Sequence, residues 1–169
     1  MLTKKMEKAL NEQINKELWS AYLYLSMAAY FEDKNLPGFA NWMRVQSQEE
    51  ITHGMKIFDY VNNRGGRVLL KPIAEVPTEW ADARTVVEET LKHERVVTES
   101  INDLVNLAVQ EKDHATNNML QWFVAEQVEE EASVDELLNK VEMTEGKAHA
   151  LMMIDKELAG RQFVDETQE

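Results

Sequence analysis

The stretch that decides the fold is residues 65–80, which read GGRVLLKPIAEVPTEW. It contains Pro72 and Pro77, and it lies between two pairs of segments that carry the 3.6-residue periodicity of helices. Extended at ~3.3 Å per residue it reaches ~50 Å, enough to run the length of a helix of about 28 residues at ~1.5 Å per residue. The stretch therefore predicts one long crossover connection.

The periodic segments on either side predict four long helices, over residues 3–33, 37–64, 81–112 and 114–143. The first pair is joined by a few residues up to Pro37 and the second pair at Asp113, so each pair forms an antiparallel hairpin. A shorter amphipathic stretch, residues 147–158, predicts a fifth helix, and the polar end at 164–169 is expected to fray. The pattern predicts an all-α fold, a four-helix bundle with one long crossover and a short C-terminal helix, in a single domain over residues 1–169.

Composition narrows the classes of function. Of 169 residues, 44% are hydrophobic and 29% are charged, with a formal net charge of −13, so nucleic acid and anionic membranes are not expected partners. The absence of cysteine excludes disulfide scaffolds, iron–sulfur clusters and rubredoxin-type iron sites. The N-terminus runs into amphipathic sequence without an apolar signal segment, and a cytoplasmic location is expected.

Each long helix interrupts its apolar stripe with polar side chains close to its midpoint. These residues are Glu17 in the first helix, Glu50 and His53 in the second, Glu94 in the third, and Gln127 and Glu130 in the fourth. Helices of similar length that pack side by side bring their midpoints to one level, so the six side chains should converge in the core.

Converging buried carboxylates need a cation, because an isolated one costs several kcal/mol or becomes protonated. Carboxylate oxygens with one imidazole suit a first-row divalent metal, and bridging carboxylates suit a dinuclear site. Glu50-Ile51-Thr52-His53 has the Glu-x-x-His spacing that puts both ligands on one helix face.

Each feature alone has a simpler explanation. A Glu-x-x-His occurs often by chance, Glu17 or Glu94 could belong to a buried ion pair, and Gln127 could be a satisfied core amide. Their coincidence at one depth in four helices favours the metal site. Six methionines are interpreted as core filler: Met43, Met55, Met119, Met143, Met152 and Met153.

Three segments resemble the non-haem ferritins of bacteria and archaea: residues 11–24 (NEQINKELWSAYLY), 48–53 (QEEITH) and 126–131 (EQVEEE). The resemblance covers almost the whole chain. It implies a ferroxidase that oxidises Fe(II) with O2 or H2O2 at a di-iron centre within the subunit. It also implies storage of the ferric mineral inside a shell of 24 subunits.

The resemblance also implies roles for individual residues. One iron would be bound by Glu17, Glu50 and His53, and the second by Glu50 and Glu94, with Glu130 nearby. Gln127 would lie beside the pair, Tyr24 could donate an electron during oxygen reduction, and Trp122 matches an aromatic residue near the site. A third iron position would use four carboxylates: Glu49, Glu126, Glu129 and Glu130.

Differences from the haem-binding branch of the ferritins indicate which type of ferritin this chain resembles. Bacterioferritins carry a second Glu-x-x-His on the fourth helix, where this chain has Gln127 and Glu130, and they bind haem through a methionine where this chain has Ile51. Haem is therefore not expected.

Two alternatives stay open at this point. A non-storage di-iron redox enzyme could use the same bundle, although the rubrerythrin version needs a four-cysteine iron site that this chain lacks. The polar core could also serve only to fix the helix register.

Overall fold

In a computed structural model, which describes residues 2–165 and 167, the chain forms an all-α bundle, as predicted. Its helices are α1 (Lys4–Asp33), α2 (Pro37–Asn63), α3 (Ala83–Gln110), α4 (His114–Met143) and α5 (Ala148–Leu158). Helix α1 packs along α2 and α3 along α4, and α1 also contacts α3. Within the described residues no helix is long and apolar enough to cross a membrane.

Helix α3 is two residues shorter at each end than the sequence predicted. Asp82 is its N-cap, and its side chain accepts a hydrogen bond from the amide of Thr85 at 2.7 Å. At the other end Lys112 adopts a positive φ of 58°, which reverses the chain. Asp113 then caps α4 and also pairs with Arg64 at 3.2 Å, so the end of α2 is fixed to the start of α4.

The crossover follows α1, and side chains of α1 bind its backbone. Asn11 donates to the carbonyl of Arg67 at 3.0 Å and accepts from the amide of Leu69 at 2.6 Å. Three further donors continue this ladder at the carbonyls of residues 71, 75 and 77: Asn15, Trp19 and Ser26. From residue 11 to residue 26, α1 rises roughly 22 Å, which ten crossover residues cover at roughly 2.2 Å each. The crossover is therefore less extended than its maximum reach allows.

Helix α5 docks on the start of α2. The Asp155 carboxylate accepts hydrogen bonds from the amides of Gly38 at 2.8 Å and Phe39 at 3.0 Å, and so supplies the cap that Leu36 lacks. A Cβ at Gly38 would lie 1.6 Å from the carbonyl oxygen of Asp155, so this contact requires glycine.

Two apolar clusters form the core. One contains Met27, Phe31 and Phe39 towards the α5 end, and the other contains Met6, Leu10 and Phe123 towards the opposite end. The polar residues at the helix midpoints lie between them in the sequence of every long helix. This arrangement leaves a polar layer inside an otherwise apolar bundle.

The interpretation of the methionines as core filler was wrong for four of the six. Met43 is fully buried, whereas four side chains are between 44% and 82% exposed: Met55, Met143, Met152 and Met153. Met143 is the last residue of α4. Helix α5 buries only Ile154 among its own described residues, so its two methionines lie on the outer face.

Of the tail predicted to fray, residues 166, 168 and 169 lie outside the described part of the chain. Thr167 is described, and its carbonyl accepts a hydrogen bond from Lys56 at 2.9 Å.

Candidate metal centre

The six polar residues predicted at the helix midpoints are all buried, with exposed fractions of 5% or less. Their ligand atoms form two adjoining groups. Glu17, Glu50 and His53 each offer a ligand atom within 4.8 Å of the others, and so do His53, Glu126 and Glu130. The structure therefore brings together residues from α1, α2 and α4 around one imidazole.

On the α1–α2 side of the centre, only some of the carboxylate oxygens accept hydrogen bonds from neighbouring side chains. Gln13 donates to Oε1 of Glu17 at 2.8 Å. Oε2 of Glu17 and Oε2 of Glu50 are both buried, and neither accepts a hydrogen bond from a third described residue, although the two carboxyl groups lie close enough to interact with each other. Burying an acceptor without a donor is costly, so these two atoms indicate a place for a ligand.

The α3–α4 side of the centre is more fully hydrogen-bonded. The Tyr24 hydroxyl donates to one oxygen of Glu94, and the Gln127 amide donates to the other at 3.2 Å. Gln46 donates to Oε2 of Glu130 at 2.9 Å. These bonds hold the two carboxylates in fixed orientations towards the core.

Burial controls the protonation of the centre. It raises the pKa of Glu17, and with the negative charge of Glu94 it raises the pKa of Glu50 well above the ordinary 4.5. Burial, together with the charge of Glu130, raises the pKa of Glu94 to about 8. Desolvation also lowers the pKa of His53 to about 4, with Lys56 contributing.

Near pH 7 the metal-free centre therefore favours a protonated Glu94 and a neutral His53 imidazole, and burial shifts Glu17 and Glu50 towards their protonated forms as well. The 3.9 Å separation between Nδ1 of His53 and Oε2 of Glu50 is then not a charge pair. A metal ion would displace these protons, and the imidazole is already in the neutral form that binds metals.

An outer cavity of about 190 Å³ lies beside His53. Its lining includes the four predicted third-site carboxylates together with two residues that were not predicted: Glu49, Glu126, Glu129, Glu130, Ser133 and Arg161. Nε2 of His53 lies 3.8 Å from Oε1 of Glu126, which connects this cavity to the inner residues. Glu130 is buried and Glu129 exposed, so the cavity runs from the core to the surface.

Aromatic residues adjoin the centre. The ring of Trp122 lies 5.4 Å from that of His53. Tyr24 is fully buried, and desolvation with the charge of Glu94 raises its pKa well above 10. Its ring also meets the imidazole of His93 at 5.9 Å.

Several partners of the predicted residues were given no role on the basis of the sequence. Gln13 lies four residues before Glu17 and Gln46 four before Glu50, so each shares a face with a predicted ligand, and this spacing could have identified them. His93 bonds Ser20 at 2.7 Å, and Arg161 enters the outer cavity from beyond α5. No pattern in the sequence indicates these last two contacts, because they depend on how distant segments pack.

The donor set fits iron. Hard carboxylate oxygens with a single imidazole suit iron in both common oxidation states, and the buried Oε2 atoms of Glu17 and Glu50 could serve as ligands. A softer metal would be expected to draw on thiolates, which this chain lacks.

Comparisons with known proteins agree on one family. The family model for the ferritin-like domain matches residues 7–144. A bacterial non-heme ferritin of Bacteroides fragilis is 44% identical over 161 residues, covering 95% of this chain and all of that protein. One from Staphylococcus saprophyticus is 40% identical, covering 96% and 98%.

Solved structures give the same result. An Archaeoglobus fulgidus ferritin engineered into a closed form is 54% identical, with a TM-score of 0.96 over 97% of this chain and all of that one. The open-pore ferritin of the same archaeon is 53% identical, with a TM-score of 0.95 over 96% of this chain and all of the other.

Proposed function

The chain belongs to the ferritin family, and on that premise we propose that its buried centre oxidises pairs of Fe(II) ions within the subunit. The protein is an iron-storage protein with ferroxidase activity. The observation that supports the proposed location is the pair of buried oxygens on Glu17 and Glu50 that accept no hydrogen bond from a third residue, beside a neutral His53.

We propose that Glu17, Glu50 and His53 bind one Fe(II) and that Glu50 and Glu94 bind the second, with Glu130 close by. Electrons pass from the two Fe(II) ions to O2 or H2O2. Carboxylates favour this direction because hard oxygen ligands stabilise Fe(III) more than Fe(II). Gln127 holds Glu94 in place, and its amide can also donate to a bound oxygen species.

Tyr24 is proposed as an additional electron donor. Its hydroxyl donates to Glu94, so it contacts a ligand directly. Loss of an electron from a phenol releases its proton, and Glu94 is the acceptor within hydrogen-bond reach.

The outer cavity is proposed as the third iron position, held by Glu49, Glu126, Glu129 and Glu130. It receives iron on the way to or from the inner pair. No haem is proposed, since Ile51 stands where the haem-binding branch has methionine.

Storage needs a closed shell, and we propose the 24-subunit form. Large apolar side chains on α1 and the crossover are about half exposed or more in the single subunit: Tyr22, Leu25, Leu69 and Leu70. Exposed large apolar side chains of this kind are typical of surfaces that form protein–protein contacts. The cytoplasmic location stays a prediction, which cell fractionation tests.

Anaerobic Fe(II) titration followed by aerobic loading tests the whole proposal. We expect tight binding near two Fe(II) per chain, oxidation on addition of O2 or H2O2, and particles of shell mass that take up hundreds of irons. A compact oligomer that takes up two irons per chain and no more would instead support a non-storage redox enzyme. An absence of tight binding would leave the polar layer a purely structural role.

A further inference from the structure

Arg161 is held firmly beside the outer cavity. The side-chain amide of Asn41 donates to the carbonyls of Leu158 at 3.2 Å and Arg161 at 3.0 Å, which fixes the backbone after α5. The guanidinium lies over the ring of Trp42, 4.6 Å from its centroid, and the side chain is only 24% exposed. It is therefore positioned by packing, unlike a freely moving surface arginine.

The guanidinium meets the carboxylates that are proposed to hold iron. Nη2 of Arg161 donates to Oε2 of Glu49 at 2.8 Å. Nη1 is also buried and has no hydrogen-bond partner within the described chain. Arg161 lines the same cavity as Glu49, Glu126, Glu129 and Glu130, so it brings a fixed positive charge to the place where a cation would bind.

We propose that Arg161 is a counter-cation built into the outer site, and that it sets how tightly this site holds iron. The proposal rests on the function proposed above. An iron ion and Arg161 compete for the same oxygen of Glu49 and repel each other across the cavity. The outer site is therefore weakened relative to the inner pair, which suits a position that passes iron on.

The effect should fall mainly on the outer site, with Glu130 the one lining residue that also lies near the inner pair. Glu17 and Glu50 are not part of the lining of this cavity, and Arg161 is not among the charges that shift their pKa values most. Arg161 is thus a positioning and affinity-setting residue, and the inner pair should bind metal equally well without it.

A purely structural role is the competing explanation, in which Arg161 only fastens the segment after α5 to Trp42. The two differ in what happens to metal affinity. If the role is structural, removal of the Arg161 side chain lowers the thermal midpoint and leaves the affinity of the outer site for metal unchanged. If Arg161 is a counter-cation, its removal makes the outer site bind metal more tightly.

The test is calorimetric titration of the assembled, full-length protein with Zn²⁺, a divalent ion without redox chemistry. In R161Q and R161M we expect the weakest Zn²⁺-binding step to tighten by about tenfold, the effect of one lost charge-assisted contact, while the tighter steps stay unchanged. R161M keeps an apolar stem over Trp42, so either neutral variant can carry the test. R161K keeps the charge and should stay closer to the wild-type affinity.

The matched control is K140Q. Lys140 shares the neighbouring cavity with Arg161 but pairs with Glu136 at 2.9 Å and Glu157 at 2.8 Å, so K140Q removes one positive charge from the same region without a bond to Glu49. We expect the affinity of the weakest Zn²⁺-binding step in K140Q to equal that of the wild type. In the double variant E49Q/R161Q the tightening of this step should disappear, because the Glu49 carboxylate for which the metal and Arg161 compete is absent.

An unchanged weakest step in both neutral variants, or equal tightening in K140Q, would overturn the role of Arg161. That result is distinct from failure of the proposed function, which would show as no tight Zn²⁺ binding near two per chain in the wild type.

Discussion

At the scale of single residues, three carboxylates of the centre each accept a hydrogen bond from a glutamine amide. Gln13 donates to Glu17, Gln46 to Glu130 and Gln127 to Glu94. An amide orients a carboxylate without neutralising its charge. The carboxyl groups are therefore pre-organised and can still give up their protons to a metal ion, and removal of such partners typically weakens metal sites by about 10–100-fold.

The first prediction concerns the bridging ligand. E50Q removes a charged oxygen that both inner iron ions are proposed to share, so we expect the initial rate of Fe(II) oxidation to fall by at least about tenfold. The rate is measured by stopped-flow absorbance. E99Q, which changes an exposed glutamate on α3, is the control and should keep the wild-type rate. A wild-type rate in E50Q would contradict the assignment of Glu50.

The second prediction concerns pH. Burial raises the pKa of Glu94 to about 8, so the folded protein keeps a proton that the unfolded chain loses above about pH 4.5. This contribution to stability is fully present below the unfolded pKa and is lost as the pH rises through 8. The raised pKa of Glu50 acts in the same direction.

Because this loss takes place between the unfolded and the folded pKa, we expect the thermal midpoint of the metal-free protein to fall from about pH 5 to about pH 8. The E94Q variant cannot ionise at this position, so its thermal midpoint should fall less steeply with rising pH. Glu50 and Glu17 maintain part of the slope. Calorimetry at fixed protein concentration measures both. Identical slopes in the two proteins would show that Glu94 titrates normally.

At the scale of the helices, the sequence predicted which segments are helical because the apolar period and the caps are local signals. The start of α3 was placed two residues too early, although aspartate is a preferred N-cap residue and alanine a poor one, so Asp82 was a usable signal; its side chain accepts a hydrogen bond from the amide of Thr85. The inner residues were predicted because each interrupts an apolar stripe. Arg161 was not, because no periodicity relates a residue after α5 to Glu49 on α2.

The third prediction concerns the docking of α5. G38A places a Cβ where it would meet the backbone of Asp155, and backbone cannot rotate out of the way as a side chain can. We expect a loss of stability of about 1–3 kcal/mol. D155A removes only the cap of α2 and should cost about 1 kcal/mol. Denaturant unfolding at fixed concentration measures both, and a G38A variant as stable as the wild type would rule out this close contact.

At the scale of the whole molecule, the subunit combines a net charge of −13 with exposed apolar groups on α1 and the crossover. The charge favours the approach of Fe(II) over that of anions. The apolar groups are the part of the surface expected to meet other copies. These two properties together fit a container for cations that is assembled from identical subunits.

The fourth prediction concerns assembly. L25E and L70E each place a charge on a side chain that is 49% or 65% exposed in the single subunit. If these residues lie between subunits, we expect smaller particles in analytical ultracentrifugation and an unchanged helical signal in circular dichroism, because neither position is in the core. Particles of unchanged mass in both variants would place the contacts elsewhere.

The ladder between α1 and the crossover has a consequence for inherited variation. Its donors are mostly side chains of α1, whereas its acceptors on the crossover are mainly backbone carbonyls, which every amino acid possesses. Substitutions at the exposed positions of the crossover would therefore preserve its path, provided residue 69 keeps an amide hydrogen for Asn11 and the buried side chains of Val76 and Trp80 are retained. Crossover positions that are exposed and that meet no other subunit can therefore change without moving the crossover, while Asn11 and Ser26 stay under constraint.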